Sequence, residues 1–154
     1  MLPARFLAFA VLIILLVGIP TANAEGSWST VSSPTTNDLY SVFMVSASDG
    51  WAVGSWGTIL HYTGGSWSLY ATSPTTDHLY SVFMVSASDG WAVGDYGTIL
   101  HYSGGSWSLY ATSPTTNRLR SVFMVSASDG WAVGSWGTIL HYTGGSWSTV
   151  SSPT

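Results

Sequence analysis

A 40-residue repeat constrains this chain more than any other feature of its sequence. The stretch SVFMVSASDGWAVGSWGTILHYTGGSW begins at Ser41 and returns at Ser81 and at Ser121. The first and third copies are identical, and the middle copy departs from them at Asp95, Tyr96 and Ser103. A repeat of this kind is one structural unit that covers its apolar surface by stacking on its neighbours, so the sequence predicts an array of similar units.

Each repeat contains four short segments rich in β-branched and aromatic residues, separated by turn residues. We expect Asp49 and Gly50 to form the tight turn after the first segment, because aspartate and glycine favour turns. Pro74 belongs to the connector between repeats, since proline cannot donate to a strand ladder. Outside the first 24 residues no segment has a helical period. The strands predicted in the first repeat are Ser41–Val45, Trp51–Gly54, Thr58–Tyr62 and Ser66–Tyr70.

Four strands per repeat, joined by short hairpin loops, predict the blades of a β-propeller. Val42 and Met44 point to one side of the first strand and Phe43 to the other, so both sides of the sheet need cover, as in stacked blades. The expected fold is all-β, with three four-stranded antiparallel repeats and an extra N-terminal strand near Trp28. Closed propellers have roughly 4–8 blades, so we expect a partial propeller. Its open sides are covered by self-association or by further repeats, or they remain an open arc.

The first 24 residues have the pattern of a signal peptide. Arg5 precedes the apolar run Phe6–Gly18, Pro20 follows it, and the small residues Ala22 and Ala24 provide a cleavage site. An uncleaved anchor is the alternative, but the run of 13 residues is shorter than the roughly 20 needed to span a bilayer. The predicted domains are residues 1–24, a signal peptide, and residues 25–154, a repeat domain with units of about 41–80, 81–120 and 121–154. The protein is therefore expected to be secreted, in the periplasm or at the cell surface.

The charge of the chain after residue 24 limits its partners. That part of the chain contains two arginines and seven carboxylates, so its formal charge is −5. The sequence contains no cysteine. Nucleic acid needs a basic face, which this chain lacks. An anionic membrane surface is disfavoured for the same reason once the signal peptide is removed. The fold must be held by packing and backbone pairing without disulfides.

The residues SVFMVSASDGWAVGSWGTILHY resemble the repeat of the photosystem II stability/assembly factor family, in which GWAVG is followed by GTILH. That family is similar to the sialidase-like propellers with Asp-box (BNR) turns. The resemblance covers all three repeats and implies a propeller, typically of seven blades, of which this chain would hold fewer than half. The turn at Thr63–Trp67 lacks the aspartate of the Asp box, so the motif is degenerate and no catalytic residue follows from it.

His61, His101 and His141 recur at one point of the third strand. Three imidazoles can bind a metal when they converge, but this strand lies far from the propeller axis, so we expect half-buried histidines packed beside residues such as Ile59 and Tyr62. Serine, histidine and aspartate in every repeat do not define a triad, because a nucleophile needs one set of groups held together. Glycoside cleavage needs paired acids, and the only glutamate is Glu25. We therefore predict no catalytic residue, no metal site and no cofactor.

Substitutions between the repeats cluster in the loop after the second strand and in the connector after the fourth. Alternate connections of a meander emerge at one edge of the sheet, so these positions are expected to share a surface. Aromatic residues in the loop can anchor a protein or stack on a sugar, whereas the alternative is that they fold back on the neighbouring blade. Tryptophans within strands, such as Trp51 and Trp67, are expected in the core. The candidate binding residues are Trp56, Asp95, Tyr96, Trp136, Asp38, Tyr40, His78, Tyr80, Arg118 and Arg120.

The sequence therefore predicts a secreted, non-enzymatic β-propeller protein that acts as a protein-binding scaffold. The alternative is a carbohydrate-binding or cell-surface module that uses the same aromatic residues. A sialidase-like glycoside hydrolase is a weaker third hypothesis, since the charged residues that it needs are missing.

Overall fold

A computed structural model describes residues 26–153 of the chain. The chain divides into two compact units, Met1–Val31 and Ser32–Thr154, and every described strand belongs to the second. The signal peptide predicted from the sequence lies outside the described residues. Within residues 26–153, no helix has the length and apolar character required to cross a membrane.

Residues 32–153 form three four-stranded antiparallel sheets, and a 3-10 turn follows the second strand of each, at Ser55–Gly57, Asp95–Gly97 and Ser135–Gly137. In each sheet the strands are neighbours in chain order, β1-β2-β3-β4, β5-β6-β7-β8 and β9-β10-β11-β12, which is the meander predicted from the repeat. We call these sheets blades 1, 2 and 3. The strands are β1 Leu39–Ser46, β2 Asp49–Gly54, β3 Ile59–Thr63, β4 Ser66–Leu69, β5 Leu79–Ser86, β6 Asp89–Gly94, β7 Ile99–Ser103, β8 Ser106–Leu109, β9 Leu119–Ser126, β10 Asp129–Gly134, β11 Ile139–Thr143 and β12 Ser146–Val150.

The predicted role of Asp49 and Gly50 in the first turn is wrong. Both residues belong to β2, and the turn itself consists of residues 47 and 48. The hydroxyl of Ser46 stabilises this turn by accepting the backbone N–H of Ser48 at 3.1 Å. Glycine at position 50 is favoured for another reason, since a Cβ there would lie 2.9 Å from the backbone carbonyl oxygen of Phe43 and would also displace the end of the Met44 side chain.

Residues 26–38 contain no strand, so the prediction of an extra strand near Trp28 is wrong. The letters GSWSTV at 26–31 return at 145–150, where Ser146–Val150 forms β12 and pairs with β11. There the strand follows its hairpin partner Ile139–Thr143 by a short turn. Residues 1–25 contain no TILHY segment, so residues 26–31 have no equivalent of the hairpin partner Ile139–Thr143. A strand without a partner has little stability.

The blades stack through two different faces, which explains why apolar residues occur on both sides of each strand. One side, here called the phenylalanine face, packs on the other side of the following blade, here called the methionine face. Between blades 1 and 2 the phenylalanine face consists of Phe43, Val45, Trp51, Val53, Ile59 and Tyr70. The methionine face consists of Leu79, Val82, Met84, Ala92, Leu100, Tyr102 and Trp107. The equivalent residues join blades 2 and 3, so blade 2 is covered on both sides.

The innermost strands β1, β5 and β9 lie side by side, and their aromatic residues follow each other from blade to blade. The rings of Phe43 and Phe83 are 4.8 Å apart, and so are those of Phe83 and Phe123. The hydroxyl of Ser41 accepts the amide of Val82 at 3.3 Å, so a side chain of one blade bonds to the backbone of the next. This repeated packing holds the loops of neighbouring blades in register.

Candidate functional site

The loop after the second strand of each blade is tied to the connector that precedes the same blade. In blade 1 the N–H of Ser55 donates to the carbonyl of Asp38 at 2.9 Å, and the equivalent residues of blades 2 and 3 do the same. A Cβ at Gly54 would overlap that carbonyl, so glycine is needed where the two segments meet. The loop and the connector therefore lie at one edge of the blades, as the meander predicts, and we call this edge the aromatic surface.

The three aromatic residues at the loop tips combine high exposure with a strained backbone. Trp56, Tyr96 and Trp136 are 69%, 76% and 92% exposed. Their φ angles are +57°, +54° and +59°, in the left-handed region, which costs a residue other than glycine roughly 1–2 kcal/mol. These side chains add little to the core and strain the backbone, so packing does not explain them. Such strain concentrates at binding sites.

A cleft of about 500 Å³ lies at the aromatic surface between blades 1 and 2. Trp56 forms one wall, and its ring centre is 5.1 Å from that of His78 in the following connector. Trp56 therefore contacts the neighbouring blade at its edge while most of its surface remains exposed. The rings of Tyr40 and Tyr80 stack at 5.3 Å along the inner side. The residues that line this cleft are Tyr40, Trp56, Thr76, Asp77, His78, Tyr80, Asp95, Tyr96 and Arg118.

A second cleft, of about 320 Å³, lies between blades 2 and 3. Tyr96 takes the place that Trp56 has in the first cleft, and Arg118 takes the place of His78. The lining residues are Asp95, Tyr96, Thr116, Asn117, Arg118, Ser135 and Trp136. The same fold thus presents similar shapes with different chemistry at successive blade junctions.

Asp95 connects the two clefts through a charged network. Its carboxylate is buried, forms an ion pair with the Arg118 guanidinium and accepts the Tyr80 hydroxyl at 3.1 Å. Burial raises the pKa of Tyr80, and the hydrogen bond to Asp95 raises it further. The bond to Asp95 also raises the pKa of Arg118. In the other blades serine replaces Asp95, so this network belongs to the middle repeat.

Two cations lie over one tyrosine at the inner side of the surface. The guanidinium carbons of Arg118 and Arg120 are 5.2 Å and 5.9 Å from the centre of the Tyr80 ring. Arg120 follows Tyr40 and Tyr80 at the equivalent position of β9, so a row of two stacked rings ends in a charge. This row provides flat apolar surface together with hydrogen-bond donors.

The structure brings the ten candidate residues to this one surface. Eight of them line the clefts, Arg120 lies over Tyr80, and Asp38 holds the loop of blade 1 through its carbonyl. Their role in binding stays a prediction. The candidate list omitted five lining residues, namely Thr76, Asp77, Thr116, Asn117 and Ser135. Asp77 and Asn117 are variable connector positions, Thr76 and Thr116 adjoin them, and Ser135 replaces Asp95 in blade 3, so their sequence signal is their place beside the positions that differ between repeats.

The three recurring histidines are occupied within their own blades. His61 stacks on Trp51 with ring centres 4.0 Å apart, and its Nε2 is 2.8 Å from the carboxylate of Asp49. The other blades repeat both contacts, through Trp91 with Asp89 and through Trp131 with Asp129. His61 is half-buried as expected, but it contacts Trp51 and Asp49 rather than Ile59 and Tyr62. Among residues 26–153 no group of three or more His, Asp or Glu side chains is arranged to hold a metal.

Stacked four-stranded blades with a variable surface at one edge define a partial β-propeller. Solved structures with a similar fold include "YCF48 bound to D1 peptide", at 22% identity and a TM-score of 0.69 over 83% of this chain. YCF48 from Cyanidioschyzon merolae matches at 22% identity and a TM-score of 0.68 over 80% of the chain. The fold expected from the resemblance to photosystem II assembly factors is thus confirmed.

The chain spans less than half of each of these structures, 46% of the first and 43% of the second. No protein-family model and no curated protein matches the sequence. The similarity therefore identifies the fold.

Proposed function

We propose that this chain is a secreted, non-enzymatic scaffold that binds a segment of another protein at its aromatic surface. The observation that carries the proposal is the group of three exposed aromatic residues in left-handed backbone, Trp56, Tyr96 and Trp136. Rigid aromatic side chains lose little conformational entropy on binding, and they dominate the affinity of many protein interfaces. The ordered blades beneath them hold the loops in place before a partner arrives, which lowers the cost of association.

The chemistry of the clefts supports a peptide segment as the ligand. Each cleft is open, combines aromatic walls with polar connector side chains, and follows the junction of two blades. An extended chain can place alternate side chains in successive clefts while its backbone bonds to the polar groups between them. The similar structure "YCF48 bound to D1 peptide" supports a protein partner for this chain.

Exchange of the loop residues after the second strand between repeats tests whether the aromatic surface selects the partner. Replacing Asp95 and Tyr96 by Ser-Trp gives blade 2 the loop of its neighbours without changing the scaffold. We expect reduced recovery of the partner by crosslinking and affinity capture from the exported fraction of the native host. A matched control is Leu69→Ala, which removes an apolar side chain of similar exposure on the outer strand β4. Unchanged capture by the loop variant would remove the support for this site.

A carbohydrate-binding or cell-surface module is the second candidate, favoured by the stacked rings of Tyr40 and Tyr80 beside the exposed Trp56. Aromatic faces of this kind can stack on sugar rings. Binding to a glycan array that disappears in Trp56→Gly and Trp136→Gly would favour this candidate. A sialidase-like hydrolase is the third, and hydrolysis of a fluorogenic sialoside by the purified protein would support it.

Export is the part of the proposal that depends on the first 24 residues. The n-region, apolar run and small-residue site support cleavage after Ala24. N-terminal sequencing of the protein recovered outside the cytoplasm should then begin at Glu25. A retained N-terminus would instead indicate a membrane-anchored form at the cell surface.

A further inference from the structure

The interface between blades 1 and 2 is repeated almost unchanged between blades 2 and 3. The ring of Trp51 lies 5.5 Å from that of Trp107 at 82°, and the rings of Trp91 and Trp147 show the same distance and angle. The serine hydroxyl of one inner strand accepts an amide of the next at both junctions, at 3.3 Å and 3.2 Å. One mode of packing therefore serves every blade junction that the chain contains.

The outer sides of this three-blade array expose many of the residues that the inner junctions bury, above all those of the inner strands. On the methionine face of blade 1, Val42 is 61% exposed, whereas its equivalent Val82 is 4% exposed. Leu39 and Met44 of the same inner strand are exposed as well, although Ala52 and Leu60 farther out on this face are buried. On the phenylalanine face of blade 3 the exposed residues are Phe123, Val125, Trp131 and Val133. Apolar patches of this kind mark interaction surfaces.

These two exposed faces are the two halves of the same interface. The methionine face of blade 1 has the same residues as that of blade 2, at every position. The phenylalanine face of blade 3 matches those of blades 1 and 2 except that Val150 replaces Tyr70 and Tyr110. The residues of each outer face thus match those of a face that packs on its opposite at the two inner junctions, and the exposed inner-strand residues are the part of this match that is open to another copy.

We propose that two copies of this chain associate head to tail, blade 3 of each docking on blade 1 of the other. Contacts of this heterologous kind form a ring when the rotation closes. Two copies of the three blades in residues 26–153 provide six blades, and six is the only multiple of three within the roughly 4–8 blades of closed propellers. The dimer leaves neither exposed face uncovered.

The same association completes the aromatic surface. Within the chain, the loop aromatic of one blade faces the connector of the next, as Trp56 faces His78. Trp136 has no following blade in residues 26–153 and is 92% exposed. In the dimer it would face Asp38 and Tyr40 of the second copy, which creates a further cleft at each of the two new junctions. The inference does not depend on the proposed function, since it concerns blade packing alone.

Molar mass in solution tests the dimer. Sedimentation equilibrium of the purified protein should give twice the chain mass, with dissociation on dilution. Val42→Asp and Val133→Lys each place a charge in one of the two exposed faces, and burial of an unpaired charge should weaken association by about a hundredfold or more. Leu109→Lys is the matched control, because this residue stays exposed although both faces of blade 2 are covered. We expect it to dimerise normally.

Mixing the two variants separates head-to-tail association from other arrangements. Val42→Asp retains an intact blade 3 and Val133→Lys retains an intact blade 1, so an equimolar mixture should form mixed dimers although each variant alone is monomeric. Thermal unfolding of each monomer that matches wild-type protein diluted until it is monomeric confirms that the charge has not unfolded the chain. A wild-type protein that is monomeric at every concentration overturns the proposal, and so does a dimer that responds to only one of the two substitutions.

Discussion

Val42 and Val82 allow the energetic effect of blade stacking to be measured with a single substitution. The two residues occupy the same position of identical inner-strand segments, and each lies opposite an alanine of the second strand, Ala52 or Ala92. Their local backbone pairing is the same, but Val42 is 61% exposed and Val82 is 4% exposed. A difference between their alanine variants therefore reports the packing of the neighbouring blade.

The expected magnitude follows from the methyl groups removed. Valine to alanine removes two carbons, about 1.6 kcal/mol at about 0.8 kcal/mol for each buried group. At Val82 the cavity between two blades adds to this loss, so we expect roughly 2–3 kcal/mol. At Val42, where most of the side chain already contacts solvent, we expect about 0.6 kcal/mol or less.

Equilibrium urea unfolding, followed by tryptophan fluorescence in dilute protein, measures both values. Dilution is necessary because the proposed dimer would bury Val42 and make its contribution depend on concentration. The slope of the unfolding free energy against urea should stay constant, which shows that the same surface is exposed on unfolding. Equal losses for Val42→Ala and Val82→Ala in dilute protein would refute the argument that stacking distinguishes these positions.

Three further predictions concern the aromatic surface. In protein dilute enough to be monomeric, Trp136→Gly should stabilise the chain by about 1 kcal/mol, because glycine adopts the left-handed backbone without strain and the lost ring is exposed. A lower thermal midpoint under these conditions would contradict this. Tyr80 has a raised pKa, so its neutral form favours the folded state. That contribution is intact below about pH 10 and is lost as the pH rises through the raised value, so Tyr80→Phe should lose less stability between pH 9 and 11 than the wild type, measured by thermal unfolding. Asp95→Ser should lower the thermal midpoint at low salt, and the difference should narrow in high salt if the ion pair with Arg118 is its cause.

The sequence alone determined the blade and the surface at its edge. The 40-residue period, the apolar residues on both sides of Phe43 and the short hairpin loops require stacked meanders. Strand parity then places Trp56 and the connector at one edge, without knowledge of any contact. These features follow from local periodicity and chain connectivity, which are the same in every repeat.

The tertiary structure decided how identical sequence segments differ in burial, in strand formation and in side-chain contacts. Val42 and Val82 differ in burial because only one of them has a preceding blade against its face. GSWSTV forms a strand at 146–150, where a hairpin partner precedes it, and none at 26–31. Asp49 bonds to His61, a contact that depends on the register of β2 with β3. Each outcome depends on which groups lie nearby in space, and a local pattern carries no information about those neighbours.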